Sequence, residues 1–382
     1  MSQFVPSKAS KRPLTTGMSV VIFIGSLRLG GAEKNVVGLI ELLKFDHRMA
    51  ICLLGDQNAI DYCLSDEVVV EGLSLSSKSR NLFYRLAATL RRVYKMRQAI
   101  KRYQPKVVLA FLPQTNILTI IASLGIKTRL VVCERNNPSY QKIGLWGLIR
   151  PLAYRWSDHI AVNSFVALSY FSKKGLSRKI TYTRNFIYPA QTKPLEAKSP
   201  RIILCIGRAE KQKGYDVLLD AFAMSDAFRC GWRLRIIGDG SEMKSLKSRA
   251  RVLGLGQAVL WEGKVQPTSK HFFDADFFVL ASRYEGTPNA LLESLVHGLP
   301  FLVSDALSQE VEGLRLQNCG RLAKSESAED FREKIDSLCG DPDALLKMSI
   351  SCREKASEFC AFDYKKEWNR VLRIDSSGKS LP

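Results

Sequence analysis

The sequence predicts an α/β protein built from two Rossmann-like domains with parallel sheets. Short apolar runs alternate with stretches of helical periodicity from one end of the 382-residue chain to the other, the pattern of parallel α/β folds. A chain of this length exceeds one ordinary core, so we expect two domains. The proline-bearing segment 187–200 has little periodicity and is predicted to be a linker. The predicted domains are therefore 1–186 and 201–360, followed by a helix and tail over 361–382, for which a return to the first domain is one option.

Each predicted strand is a short apolar run, typical of a strand that is buried on both faces of a parallel sheet. The predicted strands are 18–25, 49–55, 106–112, 129–134, 159–164, 201–207, 233–238, 258–263, 277–282 and 300–305. Between these runs, apolar residues recur at helical spacing. The predicted helices are 31–44, 80–103, 115–124, 144–156, 165–174, 214–224, 241–253, 288–298, 327–338, 342–357 and 362–374. Because parallel strands all end at one edge of their sheet, we expect ligands at the loops that follow strands.

Composition places the chain among globular proteins and argues against several kinds of site. Hydrophobic residues make up 46% of the chain and charged residues 25%, unlike a disordered protein. Nine scattered cysteines without a CxxC pair indicate reduced core thiols of a cytosolic protein. None of the four histidines stands at metal-ligand spacing, so we expect no metal and no other cofactor. No uninterrupted apolar run approaches the roughly 18 residues that a membrane span needs, so we expect no transmembrane helix.

The net charge of +20 lies almost entirely in the first half of the chain. Residues 1–190 hold 28 Lys and Arg against 10 Asp and Glu, whereas residues 191–382 hold 29 against 27. No acidic residue occurs between Glu71 and Glu134. This asymmetry predicts an anionic partner for the N-terminal half.

The helix predicted near 78–106 leaves three interpretations open. Its apolar residues recur at helical spacing, and basic residues fill many of the remaining positions; the apolar residues are Leu82, Leu86, Leu90, Val93 and Met96. The helix can pack on the core with a solvated basic face, or it can dock on the anionic inner face of a membrane. Nucleic acid is the weakest candidate because no recognition motif accompanies the charge, and we predict no nucleic-acid partner.

The stretch ASRYEGTPNALLESLVHG carries the clearest signal of chemistry. Glu285 ends an apolar strand, and Glu293 lies inside the helix that follows. Gly286 and Thr287 form the turn, and Pro288 suits the first turn of that helix, where its missing N–H is not needed. The free amides of a helix start favour an anion, and carboxylates accept hydrogen bonds from hydroxyls. A nucleotide sugar offers both groups, although two ordinary surface acids are the alternative.

Two more loops at strand ends contain residues that suit phosphate. Gly30 and Gly31 stand just before a helix, so their amides can approach a phosphate closely, although a plain tight turn explains them equally. Arg208 and Lys213 flank the loop after the first strand of the second domain, and Gly214 lets the next helix begin close to a ligand. Two cations there can clamp a diphosphate, with a solvated basic turn as the alternative.

Other motifs at strand ends are predicted to be structural. Residues 238–240 form a Gly-Asp-Gly turn, and Ser241 is a predicted helix cap. Residues 274–276 and 341–343 imitate a metal-binding DxD motif, but the first leads into a buried strand and the second starts a helix. We therefore expect neither to bind a metal.

The combination of GGAE, GR followed by KG, GDG and EGTPNALLE resembles glycosyltransferase family 4, retaining enzymes of the GT-B fold. The resemblance covers most of the chain and is more specific in its C-terminal half. It implies two Rossmann-like domains that face each other across a cleft, with the nucleotide sugar held by the second domain. It also implies that Glu285 contacts hydroxyls of the donor sugar, that Glu293 contacts the ribose, and that Val265 belongs to the loop that holds the base.

The remaining roles also follow from this resemblance. Catalytic roles fall to Glu285, Arg208, Lys213 and Glu134. Donor-binding roles fall to Gly31, Val265, Gly286, Thr287, Pro288, Asn289, Ala290, Leu291 and Glu293. The amides of 287–291 would hold the diphosphate, while Arg208 and Lys213 would neutralise it as the glycosidic bond breaks.

The chain departs from the family pattern at two places. Many relatives carry a histidine where this chain has Glu134, followed by Arg135 and Asn136. We expect Glu134 and Arg135 to engage the reacting sugar or the acceptor, with Asn136 on the same side. Thr287 is smaller than the bulky apolar residue frequent in relatives, which predicts an altered sugar pocket. The sequence around FLPQTN and CERNNPSY resembles that of the family members that build bacterial surface polysaccharides.

These observations predict a retaining glycosyltransferase that moves a hexose or N-acetylhexosamine from a UDP-sugar to a lipid-linked glycan. The product would belong to O-antigen, capsule or exopolysaccharide. The enzyme is expected in the cytoplasm, peripherally associated with the inner face of the cell membrane. Transfer to a soluble acceptor and a non-catalytic GT-B-like binding protein are the alternatives. A dinucleotide-dependent oxidoreductase is disfavoured because GxGxxG is absent.

Overall fold

A computed structural model describes residues 18–28, 30–56, 60–75, 82–140, 144–192, 201–265 and 267–373. Within them the chain forms two compact units. The first comprises the described parts of Met1–Phe186 and Asp363–Pro382, and the second the described part of Ile187–Phe362. Residues 193–200 of the predicted linker lie outside the described residues, as do 78–81 of the predicted basic helix and 374–382 of the predicted tail.

The first unit is a parallel sheet covered by helices. Its strands are β1 (Val20–Ile24), β2 (Met49–Leu53), β3 (Val69–Gly72), β4 (Val107–Phe111), β5 (Arg129–Glu134), β6 (His159–Val162) and β7 (Ile180–Tyr182). Its first helices are α1 (Gly31–Leu43), α2 (Leu82–Tyr103), α3 (Pro113–Ser123), α4 (Leu145–Ala153) and α5 (Phe165–Phe171). The described strands form one seven-stranded sheet in the order β3-β2-β1-β4-β5-β6-β7, and every pairing in it is parallel.

Both faces of this sheet are buried, which explains why its central strands are apolar at every position. Along β1, Val21 and Phe23 pack in a cluster formed with α2 and α3. Val20, Ile22 and Ile24 point the other way and pack in a cluster formed with α1. A strand covered by helices on both faces needs apolar side chains in both directions.

The second unit repeats this plan. Its strands are β8 (Ile202–Ile206), β9 (Arg233–Ile237), β10 (Val259–Gly263), β11 (Phe277–Leu280), β12 (Phe301–Ser304) and β13 (Gly320–Ala323). Its helices are α6 (Tyr215–Met224), α7 (Asp226–Arg229), α8 (Met243–Val252), α9 (Ser269–Phe273), α10 (Asn289–Val296), α11 (Ser308–Gly313), α12 (Ala328–Gly340) and α13 (Pro342–Cys360). The described strands form a six-stranded sheet in the order β10-β9-β8-β11-β12-β13, again with parallel pairings only.

The last described helix, α14 (Tyr364–Leu372), belongs to the first unit. Trp368, Val371 and Leu372 join the same buried cluster as α1 and β1. Arg129 at the start of β5 donates hydrogen bonds from Nε and Nη2 to the carbonyl oxygen of Val371, at 3.3 and 3.2 Å. The core of the first unit is therefore completed by residues that follow the second unit in the sequence.

The predicted α/β fold with two Rossmann-like domains is confirmed, while some details of the prediction are wrong. Three strands were not predicted, namely β3, β7 and β13, and each has three or four residues at a sheet edge. The prediction that Ser241 caps a helix is also wrong. The helix α8 begins at Met243 after Glu242, whereas the hydroxyl of Ser241 donates to Glu210 Oε2 at 2.7 Å.

Candidate active site

The candidate site of the second unit lies where the strand order of its sheet reverses. The strands β8 and β11 are neighbours there although they are far apart in the sequence. Lys213 lies in the loop after β8 and Glu285 in the loop after β11, and both loops leave the same sheet edge because the strands are parallel. Ligands of open α/β sheets bind at this position. The topology therefore brings together two residues that are 72 positions apart.

Lys213 and Glu285 form an ion pair at this edge. Lys213 Nζ donates to Glu285 Oε1 at 2.6 Å. The Ser282 hydroxyl donates to the same oxygen at 2.7 Å, and Gln212 Nε2 donates to Oε2 at 3.4 Å. The two side chains of the pair keep 15% and 10% of their exposure, so solvent still reaches them. An anion can therefore bind Lys213, while the carboxylate of Glu285 accepts hydrogen bonds from hydroxyl groups.

Glycines allow the loops around this pair to pack closely. Gly214 has a φ of 63°, and a Cβ there would collide with the carbonyl oxygen of Ala281 in the loop after β11. A Cβ at Gly238, at the end of β9, would collide with the carbonyl oxygen of Gly207, at the end of β8. Glycine is the residue that permits such an approach between backbones. The glycines of the KG and GDG motifs are therefore required by the close packing of these loops.

Arg283 links the two loops, and the sequence interpretation missed it. Its Nη1 and Nη2 donate to the two carboxylate oxygens of Asp216, at 3.0 and 2.8 Å, and Nη1 also donates to the carbonyl oxygen of Lys211 at 2.6 Å. Its Nε donates to Glu326 Oε1 at 2.8 Å, and its backbone N–H donates to the carbonyl oxygen of Gln212 at 2.8 Å. The bonds to Asp216 and Glu326 raise the pKa of Arg283. Burial raises the pKa of Asp216, but the hydrogen bonds and charge of Arg283 outweigh it, so that the pKa of Asp216 is lowered. Arg283 therefore joins the loop that carries Glu285 to the backbone just before Lys213.

The start of α10 is the predicted diphosphate site. The N–H of Asn289 donates to the carbonyl oxygen of Thr287 at 3.0 Å, and that of Leu291 donates to the carbonyl oxygen of Pro288 at 2.9 Å. Pro288 itself has no N–H. It is the residue before the first helical position, whereas the helix was predicted to begin at Pro288. Phosphate at Asn289 or Leu291 would have to replace an existing bond. The role of these amides, including that of Ala290, stays a prediction.

The other predicted donor residues of the second unit lie on loops at the same sheet edge or on α10. Glu293 is half-buried on α10, and its carbonyl oxygen lies 2.7 Å from Nδ1 of His297. Gly286 is half-buried in the turn before α10. Arg208 and Val265 are exposed in the loops after β8 and β10. Within the described part of the chain, Arg208 makes no hydrogen bond to Lys213 or Glu285.

In the first unit, the predicted phosphate-facing residue Gly31 is the first residue of α1 and is exposed. Asn35, one turn later, donates from Nδ2 to the carbonyl oxygen of Gly31 at 2.8 Å. Its Oδ1 accepts a hydrogen bond from the N–H of Phe186 at 2.7 Å. Asn35 therefore fixes the start of α1 to Phe186, where the chain leaves this unit for the second one. The sequence interpretation missed this residue, although a lone asparagine among apolar helical positions was a usable signal.

Glu134, at the end of β5, is completely buried. Its Oε2 accepts hydrogen bonds from the Tyr154 hydroxyl at 3.0 Å and from Nη1 of the buried Arg150 at 3.3 Å. Burial raises the pKa of the Glu134 carboxyl, and the opposing effects of Arg150 and Tyr154 are smaller. Arg150 Nη2 also donates to the carbonyl oxygen of Pro138 at 3.0 Å. This geometry favours a role in positioning the loop after β5 over the predicted contact with a sugar.

Arg135 is also buried, in contrast to a residue that faces an acceptor. Its Nη1 donates to Oδ1 of Asn185 at 3.4 Å, and its guanidinium lies over the rings of Phe111 and Trp368. Burial lowers the pKa of Arg135. Asn136, the next residue, is half-buried. The predicted acceptor contacts therefore fit Asn136 better than Arg135.

One carboxylate of each DxD-like motif accepts a hydrogen bond from a backbone amide. The N–H of Ile202 donates to Asp276 Oδ2 at 3.0 Å, and the N–H of Ala344 donates to Asp341 Oδ1 at 2.9 Å. Among the described residues, no group of three His, Cys, Asp or Glu side chains could hold a metal ion. Within the same residues, the helices are all too short or too polar to span a membrane.

All nine cysteines lie in the described residues and none forms a disulfide. Five of them are buried, whereas Cys63, Cys230 and Cys360 are exposed. The prediction that the cysteines are core thiols is therefore wrong for these three. Exposed thiols sit on loops and helix ends, where hydrophobicity alone gives no indication of burial.

Comparison with known proteins supports a glycosyltransferase. Residues 189–358, somewhat less than half of the chain, match the family described as "Glycosyl transferases group 1". This match falls on the second unit, which carries the Lys213–Glu285 pair. Membership of glycosyltransferase family 4 in particular stays a prediction.

Two similar proteins come from Campylobacter jejuni and match along nearly their whole length. One is the GalNAc-α-(1→4)-GalNAc-α-(1→3)-diNAcBac-PP-undecaprenol α-1,4-N-acetyl-D-galactosaminyltransferase, which is 24% identical over 93% of this chain and 98% of its own. The other is the N-acetylgalactosamine-N,N'-diacetylbacillosaminyl-diphospho-undecaprenol 4-α-N-acetylgalactosaminyltransferase, 29% identical over 88% of this chain and 94% of its own.

A crystal structure of HepE from Anabaena, in complex with UDP and glucose, has a similar fold. It superposes with a TM-score of 0.74 at 17% identity, over 94% of this chain and 99% of that chain. At this identity the likeness concerns the fold alone. It confirms the predicted GT-B class of two Rossmann-like domains.

Proposed function

We propose that this protein is a retaining glycosyltransferase of family 4 that transfers a hexose or N-acetylhexosamine from a UDP-sugar to a lipid-linked glycan. The observation that carries the proposal is the solvent-accessible Lys213–Glu285 pair at the strand-order reversal of the second unit. A lysine for phosphate and a carboxylate for hydroxyls are the two contacts that a nucleotide sugar requires there. The match of residues 189–358 to group 1 glycosyl transferases supports this assignment.

In this proposal the protein acts mainly by stabilising charge. The bond between the anomeric carbon and the diphosphate oxygen breaks while an acceptor hydroxyl bonds to the same face of that carbon. The hydroxyl proton passes to the departing diphosphate. Lys213 and Arg208 stabilise the negative charge that grows on this leaving group, which is commonly the largest catalytic contribution. These two cations supply the positive charge without a metal, while Glu285 orients the sugar and Glu293 the ribose.

The acceptor and the location of the enzyme belong to the same proposal. The names of both Campylobacter jejuni relatives specify glycans on undecaprenyl diphosphate, which supports a lipid-linked acceptor in surface polysaccharide synthesis here. The helix α2 carries seven basic and no acidic residues, and each basic residue near an anionic leaflet contributes about 1 kcal/mol of attraction. We place the enzyme at the cytoplasmic face of the cell membrane, in keeping with its unpaired thiols.

A thermal-shift panel against UDP, GDP, ADP and NAD at matched concentrations tests the nucleotide site. A ligand at 100 times its dissociation constant stabilises a protein by about 2.7 kcal/mol. We expect selective stabilisation by UDP that is lost in Arg208→Ala and Lys213→Ala. Stabilisation by NAD would change the enzyme class, and no response to any nucleotide would favour a non-catalytic binding protein.

The stereochemistry is tested on the product. With the UDP-sugar that turns over, NMR of the isolated glycan gives the anomeric configuration of the new linkage. We expect the configuration of the donor, because the proposed attack occurs on the face that the diphosphate leaves. An inverted product would rule out the retaining mechanism while leaving the donor site intact.

A further inference from the structure

The helix α2 consists of two halves with opposite surroundings. In its C-terminal half, Met96, Ala99, Ile100 and Tyr103 are at most 1% exposed and pack in the core of the first unit. Arg97 donates to the last carbonyl groups around α3 from the same half. From residue 83 to residue 95, by contrast, every residue is exposed or half-buried.

The N-terminal half of α2 presents an apolar stripe to solvent. The stripe consists of Phe83, Leu86, Leu90 and Tyr94, which are between 59% and 75% exposed. Their spacing of three or four residues places them on one face of the helix. A soluble helix normally buries such a face, and a contiguous exposed apolar surface marks an interaction site.

A second apolar stripe follows on a neighbouring helix. Leu148 and Leu152 of α4, and Trp156 in the 3-10 turn after it, recur every four residues and are 57% to 80% exposed. Both α2 and α4 pack against α3. The first unit therefore carries two exposed apolar stripes on one group of three helices.

The charge around the first stripe selects its partner. Arg85, Arg91 and Lys95 are exposed in the same half of the helix, and α2 contains no acidic residue to balance them. A second copy of this chain would bring two basic helices together, which like charges disfavour. An anionic bilayer satisfies both properties, because its head groups attract the basic residues and its acyl chains accept the apolar stripe. Tyrosine and tryptophan are the side chains that favour the boundary between them.

We propose that the stripes of α2 and α4 insert into an anionic leaflet and anchor the first unit there by apolar burial. The role of this anchor rests on the proposed function, since it would hold the enzyme beside a lipid-linked acceptor. It goes beyond electrostatic attraction to α2, because burial of apolar side chains persists when salt screens the charges. Vesicle binding is measured without donor or acceptor. Membrane insertion can therefore fail while the proposed glycosyltransferase activity holds, and the activity can fail while insertion holds.

The test is flotation of the full-length protein with vesicles of phosphatidylglycerol and phosphatidylethanolamine, at 0.1 and 0.5 M salt. Leu86→Gln/Leu90→Gln and Leu148→Gln/Leu152→Gln remove the apolar stripes. Val252→Gln is the matched control, because Val252 is an exposed apolar residue of the second unit. Arg91→Gln/Lys95→Gln removes charge while keeping the stripe.

We expect part of the wild-type binding to survive high salt. Each pair of leucine substitutions should lower the partition coefficient by about ten-fold or more at both salt concentrations, because two apolar side chains leave the bilayer. The charge variant should lose binding mainly at low salt, and Val252→Gln should match the wild type. Wild-type flotation of both leucine variants would overturn the proposal.

Two further measurements keep the outcome interpretable. Brominated lipids should quench tryptophan fluorescence in the wild type and less in Trp156→Phe, a substitution that keeps an apolar ring. Sedimentation without lipid tests the alternative occupant, and a wild-type dimer that Leu86→Gln/Leu90→Gln dissociates would reassign the α2 stripe to a protein interface. The UDP response of every variant should stay that of the wild type. If the wild type did not respond to UDP, while its flotation still depended on the apolar stripes, the enzyme proposal alone would be overturned.

Discussion

Each unit pairs a carboxylate at or just after the end of a strand with a cation, yet the two pairs differ in burial. The Glu134–Arg150 pair of the first unit is 0% and 1% exposed. The Lys213–Glu285 pair of the second unit keeps 10% to 15% exposure, at a sheet edge where ligands bind. A completely buried pair is placed to stabilise the loops that it joins, whereas a pair reached by solvent can exchange partners with a ligand. We expect exposure, more than residue type, to separate a structural carboxylate from a chemical one in this protein.

The largest expected effect is the loss of the buried pair. Glu134→Ala leaves the guanidinium of Arg150 buried without its counter-charge, which should lower the free energy of unfolding by about 3–5 kcal/mol. Urea denaturation measures this change. The double variant Glu134→Gln/Arg150→Met, which removes both charges, should recover much of the loss. If Glu134→Ala kept wild-type stability but lost turnover, Glu134 would be a catalytic residue and the contrast between the pairs would disappear.

The accessible pair should affect turnover more than stability. Lys213→Ala should lower kcat by about 100-fold or more, because it removes a cation from the leaving group, while the unfolding temperature changes little. Lys211→Ala is the control, since its exposed side chain lies in the same loop and has no proposed role. Near-normal turnover of Lys213→Ala in steady-state assays would contradict the site assignment.

Arg283 should show an intermediate effect, because it positions both members of the accessible pair without contacting substrate. Arg283→Ala should lower kcat/KM by about ten-fold, and adding Asp216→Asn should cost little more, since residues in contact are not additive. The control is Arg229→Ala, which removes an ion pair of two exposed side chains. Fully additive losses from Arg283→Ala and Asp216→Asn would show that the two residues act separately.

The smallest effect concerns the pH dependence of stability in the first unit. Burial raises the pKa of Glu367 from its ordinary value of 4.5 to about 7, against opposing contributions from the Arg184 amide and nearby arginines. The folded state therefore holds this proton more tightly, and stability falls as pH rises from about 4.5 to about 7. Glu367→Gln should reduce that fall in unfolding curves at pH 5 and pH 7.5. Glu354→Gln, an exposed control, should keep the wild-type slope, and an unchanged slope in Glu367→Gln would refute the assignment.

The sequence was informative wherever a local pattern decides the structure. Uniformly apolar runs such as β1 and β8 were predicted because a strand buried on both faces has no polar position. The short edge strands β3 and β7 were missed because half-buried residues in a three- or four-residue strand leave no such pattern. Lys213 and Glu285 were identified from their own loops, although the roles assigned to them stay predictions. Arg283 was not identified, because its partners lie 43 to 72 positions away in the sequence.

The residues alone determined the class of fold, the order of most elements and the loops at which chemistry is expected, because periodicity and turn residues are properties of short segments. Burial was decided only by the tertiary structure. The apolar positions of α2 recur along the helix, but α2 has 22 residues and its neighbour α3 has 11. At about 1.5 Å per residue, α3 is too short to cover the whole length of α2, and Met96 is buried while Leu86 and Leu90 are exposed. The same holds for the burial of Glu134, which depends on Arg150 and Tyr154 packing around it.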